Sequence, residues 1–284
     1  MATRLPRHAD AARARSFGAV AADYDASRPR YPDELLEDIR ALGARTALDV
    51  GTGTGILAEH LHDLGLTVTG VDPDPAMADL ARSKGFTVEQ GTFEDWDPAG
   101  RAFDLITFGT SWHWVNPTLG APKLAGMLRT PKGSVTPDGG DAEPRRPPRR
   151  TAVLAWNRLI PPAEVRTVIG ELERVRGFDW HADTKERADH PETQVAPAQQ
   201  ALGNEGLATE MRTYLRRARY TREQWLAHIF TISQYNVLPD SEKQALRAEI
   251  EAAGLPEEFD IDVHTITLWA WDSGSVMESE SSAD

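Results

Sequence analysis

The sequence predicts an α/β fold in which helices cover both faces of a mostly parallel sheet. Two neighbouring patterns support this prediction. The apolar run 47–50 leads into Gly51, Gly53 and Gly55, and an amphipathic pattern typical of a helix follows over 56–64. A second apolar run then ends at Asp72. Together they form one β-α-β unit, and strand and helix patterns continue to alternate downstream.

The glycine-rich turn has the properties of a site for a nucleotide cofactor. A strand that ends in glycines lets the backbone approach a ligand closely, and the first N–H groups of the next helix face that ligand. Asp72 lies 21 positions beyond Gly51, the distance at which such folds place an acid on ribose hydroxyls. A tight structural turn is the alternative interpretation of the glycines. Dinucleotide folds require a third glycine where this chain has Ile56, which disfavours a pyrophosphate ligand.

The residues Asp49, Gly51, Gly53 and Gly55 form a D-x-G-x-G-x-G pattern that resembles the first motif of class I S-adenosylmethionine-dependent methyltransferases. The resemblance implies a Rossmann-like, mostly parallel seven-stranded sheet whose last strand runs antiparallel, with an amino-terminal helical lid and inserted carboxyl-terminal helices. It also implies that Asp49 faces the ammonium group of S-adenosylmethionine and that Asp72 takes the ribose hydroxyls. The carboxylate of the cofactor would then face the helix amino terminus.

The same resemblance implies a set of cofactor-binding residues along the ends of the first four strands. This set comprises Asp49, Gly51, Thr52, Gly53, Gly55, Asp72, Pro73, Met77, Thr92, Phe93, Glu94 and Gly109. Thr92 departs from the pattern, since many relatives carry an acid there for the adenine amino group. Glu94 is the residue expected to compensate.

The fourth predicted strand ends at the segment Trp112-His113-Trp114, where parallel sheets expose reactive groups. If the segment is extended, Trp112 and Trp114 point to one side and flank a substrate while His113 points to the other. His113 is the candidate general base for a hydroxyl acceptor, because imidazole titrates near neutrality. Burial of the tryptophans and a structural role for His113 are the alternatives.

Residues 17–32 and the Trp112–Val115 segment resemble a small-molecule branch of these enzymes that includes trans-aconitate methyltransferase-like proteins. The leader of that branch folds over the cofactor, which makes Tyr24 and Arg28 candidates for substrate or cofactor contacts. Asn157, at the end of the fifth predicted strand, is a further candidate for substrate binding.

The predicted organisation is a flexible arm over 1–15, one methyltransferase domain over 16–272 and a flexible tail over 273–284. Within the domain we expect a helical lid over 16–40, a mobile Gly/Pro-rich insertion over 131–150 and a mostly helical cap over 161–255. The polar stretch 181–200 is predicted to be solvated. A grouping of His181, Asp183, Asp189 and His190 in it is therefore not interpreted as a metal site, and no metal is expected.

Composition narrows the possible functions. The net charge of −13 disfavours nucleic acid as a partner, because nucleic-acid binding depends on neutralising phosphates. The chain has no cysteine, which excludes radical S-adenosylmethionine chemistry and a cysteine nucleophile. No membrane segment is indicated, so the cytoplasm is the expected location.

Three functions remain open at this point. The favoured one is methyl transfer from S-adenosylmethionine to a small molecule, with a hydroxyl or carboxylate acceptor preferred over carbon or nitrogen. A nicotinamide-dependent oxidoreductase and a catalytically inactive S-adenosylmethionine-binding protein are the alternatives.

Overall fold

The computed structural model describes His8, Asp10, Arg13 and residues 16–129, 150–177, 180–181 and 184–276. Most of the predicted arm (1–15), nearly all of the predicted insertion (131–150) and the end of the predicted tail (277–284) lie outside the described residues. Along the described stretches, no helix has both the length and the apolar content needed to cross a bilayer.

Within the described part of the chain, seven strands form a single sheet in the order β3-β2-β1-β4-β5-β7-β6. The strands are β1 (Thr46–Val50), β2 (Thr67–Asp72), β3 (Thr87–Gln90), β4 (Leu105–Gly109), β5 (Thr151–Ile160), β6 (Leu207–Thr221) and β7 (Glu258–Asp272). Strands β1 to β5 pair in parallel, whereas β7 runs antiparallel between β5 and β6. The predicted fold, with its antiparallel last strand, is confirmed.

Helices lie on both faces of this sheet, and helices α6, α9 and α11 form the core of the cap. They are α1 (Ala21–Ser27), α2 (Asp33–Ala41), α3 (Ile56–Asp63), α4 (Pro75–Ser83), α5 (Pro117–Leu128), α6 (Ala163–Val175), α7 (Thr184–Asp189), α8 (Pro191–Asn204), α9 (Arg222–Ile229), α10 (Ser233–Asn236) and α11 (Asp240–Ala252). Short 3₁₀ turns occur at Gly18–Val20, Trp112–Trp114 and Ser273–Val276.

Each face of the sheet has its own hydrophobic core. On one face, Phe108 and Leu154 of the strands pack with Leu124 of α5 and Leu202 of α8. On the other face, residues of α2 and α3 pack against β1, β4 and β7. A third core joins α6, α9 and α11 beneath the extended ends of β5 and β7. Because the cap has its own buried core, it holds a fixed surface over one edge of the sheet.

Local sequence explains where the helices near the sheet edge begin. Asp74 accepts hydrogen bonds from the backbone N–H groups of Ala76 and Met77, and Pro75 follows it at the first position of α4. Asn116 accepts from Thr118 N–H in the same way, ahead of Pro117 at the start of α5. Both capped helix starts therefore lie just after the sheet edge that carries the site.

The stretch 181–200 differs from the sequence-based expectation. It forms α7 and most of α8 rather than a solvated loop. Val195, Ala198 and Leu202 are spaced three and four apart, and their burial against the sheet stabilises α8 despite its polar exposed face.

Candidate functional site

A cleft of about 450 Å³ lies at the carboxyl ends of β1, β2, β4 and β5. Most of the predicted site residues line it. They are Tyr24, Arg28, Gly51, Gly53, Asp72, Pro73, Met77, Thr92, Phe93, Glu94, Gly109, His113, Trp114 and Asn157. Residues from six separate segments of the sequence thus share one cleft, as expected at the switch point of a parallel sheet.

The glycine turn forms one wall of this cleft and presents no side chain at Gly51 or Gly53. Gly51 and Gly53 adopt φ values of 65° and 56°, in the left-handed region. A Cβ atom on Gly51 would lie 2.4 Å from Ser111 Cβ. Backbone N–H and C=O groups therefore form the surface that a ligand meets.

Asp72 ends β2 beside this turn and fixes its position. Its carboxylate accepts hydrogen bonds from Gly53 N–H at 2.8 Å and from Asp74 N–H at 2.9 Å. Burial raises the pKa of Asp72 to about 6, and these two backbone donors oppose that rise. The acid also lines the cleft, so its remaining lone pairs are available to a ligand with hydroxyl groups.

A smaller inner chamber of about 70 Å³ adjoins the cleft beside β1. Asp49 and Thr52 line it, while Gly51, Gly53, Gly109 and Arg28 line both spaces. The Asp49 carboxylate accepts from Thr107 Oγ1 at 2.7 Å and from Thr52 Oγ1 at 2.8 Å. Burial raises the pKa of Asp49 to about 6, against the lowering effect of these hydroxyls.

Residues 92–95 form the far end of the cleft, next to β3. Thr92 Oγ1 donates to Asp95 Oδ2 at 2.8 Å, and Glu94 Oε1 accepts from Asn116 N–H at 2.6 Å. Phe93 is buried and packs edge-on against Phe108 while also lining the cleft. Glu94 and Asp95 are therefore both candidates to face an amino group there, and Asp95 was missed in the sequence-based set.

The Trp112–Trp114 segment requires a correction. It forms a 3₁₀ turn rather than an extended strand, so successive side chains point about 120° apart. Trp112 is 5% exposed and packs edge-on against Phe108 in the core, outside both cavities, so its prediction as a substrate contact is wrong. His113 and Trp114 instead share the cleft, with ring centroids 5.0 Å apart.

The amino-terminal leader closes over the sheet edge. Gly18 N–H donates to Asp74 Oδ2 at 3.0 Å, and Phe17 packs edge-on against both Tyr24 and Trp114. Arg28 lies over the Tyr24 ring at 4.5 Å and donates to the backbone carbonyl of Thr231 in the cap at 2.9 Å. The leader thus contacts the sheet edge and the cap at once.

Two residues assigned from the sequence lie elsewhere. Gly55, a predicted cofactor contact, lies outside both cavities. Gly55 directly precedes α3 and has a φ of 88°. A Cβ at this position would contact Ala81 and Phe86, so its role is packing. His181, expected in a solvated loop, is buried, and its Nδ1 lies 2.7 Å from Glu173 Oε1. Asp183 lies outside the described residues.

Several residues of the site were not identified from the sequence. From the sheet these are Trp156 and Arg158 on β5, beside the predicted Asn157, whose Oδ1 accepts from Thr265 Oγ1 at 2.6 Å. The cap and leader add Phe17, Trp180, Gln194, Trp225, His228 and 232–234.

Residues 47–139 match the family model described as a methyltransferase domain. An uncharacterised methyltransferase of Mycobacterium tuberculosis is 36% identical over 116 residues, which cover 40% of this chain and 48% of that protein. A ubiquinone biosynthesis O-methyltransferase of Azorhizobium caulinodans is 30% identical over 153 residues, which cover 46% of this chain and 59% of that protein. The chain thus spans about half the length of these curated relatives.

Among solved structures, YcgJ from Bacillus subtilis aligns with a TM-score of 0.46 at 15% identity, over 90% of this chain and 97% of that one. The matched segment 47–139 contains the glycine turn, Asp72 and the end of β4, which form the cleft described above. The segment that forms much of the cleft is thus the one that is similar to a methyltransferase domain.

Proposed function

We propose that the protein transfers a methyl group from S-adenosylmethionine to an oxygen atom, hydroxyl or carboxylate, of a small-molecule acceptor. One observation carries this proposal: a single cleft joins the glycine turn and Asp72 to a second half with aromatic walls. The first half suits the cofactor and the second half suits an acceptor. In-line displacement needs both partners held at near-attack distance, which one continuous cleft provides.

The residues present fit the cofactor. Gly51 and Gly53 leave a side-chain-free surface, and Asp72 presents a carboxylate where ribose hydroxyls would lie. Pro73, Met77 and residues 92–95 line the cleft and would offer adenine a partly apolar surface. When bound, S-adenosylmethionine supplies an electrophilic methyl group on its sulfonium.

The second half of the cleft suits a flat or apolar acceptor. Phe17, Tyr24, Trp114, Trp156 and Trp180 line it. Such walls exclude water from the space between donor and acceptor, which favours displacement and disfavours hydrolysis. The Asn157 amide is oriented by Thr265 and can donate to an oxygen of the acceptor from its Nδ2.

For a hydroxyl acceptor, the proposal assigns His113 as the general base. We expect His113→Ala to lower turnover about 100-fold with such an acceptor, the lower end of the usual contribution of a positioned base. His62→Ala, at an exposed histidine outside the cleft, is the matched control. If His113→Ala kept full turnover with a hydroxyl acceptor across pH 6–9, His113 would not be the general base.

The function is tested by incubating the protein with labelled S-adenosylmethionine and a panel of small phenols, alcohols and carboxylic acids, with mass spectrometry of the products. The expected result is a methylated product and an equal amount of S-adenosylhomocysteine. Tight binding of S-adenosylhomocysteine without any product would favour an inactive binding protein. Saturable binding of a nicotinamide cofactor alone would favour an oxidoreductase.

Cofactor affinity should depend on pH because Asp49 and Asp72 both have a pKa of about 6 in the free protein. If both must be ionised to bind, S-adenosylhomocysteine affinity should fall as the pH drops from 7 to 5, by up to about tenfold for each group. The stability of the free protein should change in the opposite sense. Since burial raises both pKa values above their unfolded values, their stabilising contribution is complete below about pH 4 and is lost as the pH rises through 6.

Calorimetric titrations at pH 5, 6 and 7 measure the change in affinity, and thermal unfolding of the free protein at each pH measures the change in stability. An affinity that stays constant from pH 7 to pH 5 would show that neither carboxylate needs its charge for binding.

A further inference from the structure

The inner chamber collects buried polar atoms that have no partner within the protein. Arg28 Nε, Thr54 Oγ1, Trp225 Nε1 and His228 Nδ1 are all buried without a hydrogen-bond partner among the described residues, and all four residues line the chamber. A buried polar atom left unsatisfied costs about 1–3 kcal/mol. Several such atoms around one small space indicate that the space is built to hold a polar group.

The size of the chamber limits that group. The chamber measures about 70 Å³, against about 450 Å³ for the main cleft. It therefore accommodates a head group of a few heavy atoms rather than a whole acceptor molecule. Because Gly51, Gly53 and Gly109 line both the chamber and the main cleft, a ligand in the cleft can extend such a head group into the chamber.

The chamber presents both donors and acceptors. Arg28 Nε and Trp225 Nε1 carry N–H groups and can only donate. The described residues place no carboxylate within ion-pair distance of Arg28, and its guanidinium remains charged at neutral pH. Asp49, in contrast, is an anion on the chamber wall. A zwitterion with one carboxylate and one ammonium group matches this pairing of opposite charges.

His228 adds an acceptor on the side of the cap. Its Nδ1 is buried without a hydrogen-bond partner among the described residues. A neutral imidazole carries its proton on one ring nitrogen and a lone pair on the other, and we place the lone pair on Nδ1. Burial, followed by the charge of Arg28, lowers the pKa of His228 well below its usual value. The ring is thus neutral near pH 7 and suited to accept from an ammonium group.

We propose that cap helix α9 completes the cofactor site: Trp225 Nε1 donates to the carboxylate of the amino-acid tail of S-adenosylmethionine, and His228 Nδ1 accepts from its ammonium group. Arg28 joins Trp225 at the carboxylate, and Asp49 joins His228 at the ammonium. This inference rests on the proposed function, since it assigns residues to the same cofactor. It makes the cap, which lies far from the glycine turn along the chain, part of the cofactor site rather than of the acceptor site alone.

The test compares two ligands that differ in the tail. S-adenosylhomocysteine carries the amino-acid tail, whereas 5′-methylthioadenosine has the same nucleoside and sulfur without it. We expect His228→Phe, which keeps a ring stacked on Trp225, to weaken S-adenosylhomocysteine binding about tenfold, the usual effect of one lost hydrogen bond to a charged group. Binding of 5′-methylthioadenosine should not change. Calorimetry measures both affinities.

Matched variants separate the hydrogen bonds from general damage to the cap. His228→Asn keeps a hydrogen-bonding group close to the position of Nδ1 and should restore most of the affinity. Trp225→Phe removes the N–H and should act like His228→Phe. Trp269→Phe is its control, because Trp269 is equally buried but donates to Thr267 Oγ1 at 2.9 Å. That variant should leave both affinities unchanged.

Two results would overturn the inference. If His228→Phe and Trp225→Phe bound S-adenosylhomocysteine as tightly as the wild type, or lost affinity for both ligands equally, α9 would not contact the tail. In either case the wild type would still bind S-adenosylhomocysteine, and the proposed function would stand. If the wild type bound neither ligand, the proposed function itself would fall, and this inference with it.

Discussion

Gly53→Val is expected to weaken S-adenosylhomocysteine binding at least about 100-fold, which corresponds to about 2.8 kcal/mol. Gly53 lines both the main cleft and the inner chamber, so a branched side chain there would fill the space where cofactor and turn meet. A Cβ at this position would also lie 3.3 Å from Met77 Cε, on the adenine side of the cleft. Calorimetric titration of the folded variant measures the loss.

Backbone strain must be separated from loss of the cofactor surface, because Gly53 has a φ of 56° and a left-handed residue with a side chain costs about 1–2 kcal/mol. Gly65→Val is the matched control. Gly65 has a φ of 88°, a Cβ added there would meet no atom within 4 Å, and the residue lies outside both cavities. Both variants should unfold at lower temperature than the wild type, but only Gly53→Val should lose affinity. Equal affinities in the two variants would refute the assignment of the turn.

Asp72→Ala is expected to reduce S-adenosylhomocysteine affinity by about 100-fold, through two effects. The variant removes a carboxylate that faces the cleft, and a hydrogen bond to a charged group contributes about 1.5–3 kcal/mol. It also leaves the N–H groups of Gly53 and Asp74 without their acceptor, so the glycine turn loses the bond that positions it. Asp72→Asn keeps an oxygen acceptor without the charge and should lie between the wild type and the alanine variant.

Asp104→Ala provides the comparison at the other end of the same sheet. Asp104 precedes β4, and its Oδ2 accepts from the backbone N–H groups of Arg45 at 2.9 Å and Thr46 at 3.1 Å. Its removal should lower the unfolding temperature without changing cofactor affinity. If Asp72→Ala and Asp104→Ala were alike in stability and in affinity, Asp72 would have a structural role only.

The predicted residues that lie together at the glycine turn are encoded by short-range patterns. Strand β1, the turn with Gly51 and Gly53, helix α3 and Asp72 at the end of β2 lie within one β-α-β unit. Hydrophobic periodicity and the need for glycine at positive φ fix such a unit locally, and parallel pairing then brings Asp72 to the turn. Residues 92–94 and Gly109, which also line the cleft, were implied by the family resemblance rather than by these patterns.

The parts that were missed depend on local geometry or on distant packing. Trp112 has the composition expected of a substrate contact, but the 3₁₀ turn directs its ring into the core beside Phe108. Gly55 continues the glycine pattern, yet it supports the packing of α3 against Ala81 and Phe86 instead of a ligand. In both cases the residue type was informative, but the surroundings of the residue in the fold could not be predicted from it.

By itself, the sequence determined the class of the fold, the glycine turn and the acid beside it, because each depends on residues that are close along the chain. Only the tertiary structure decided which residues of the cap line the site. Trp225 and His228 on α9 reach the inner chamber because the cap core packs that helix against the leader, where Arg28 contacts Thr231. Whether a buried N–H or lone pair lacks a partner is a property of the packed molecule, and no spacing along the chain reveals it.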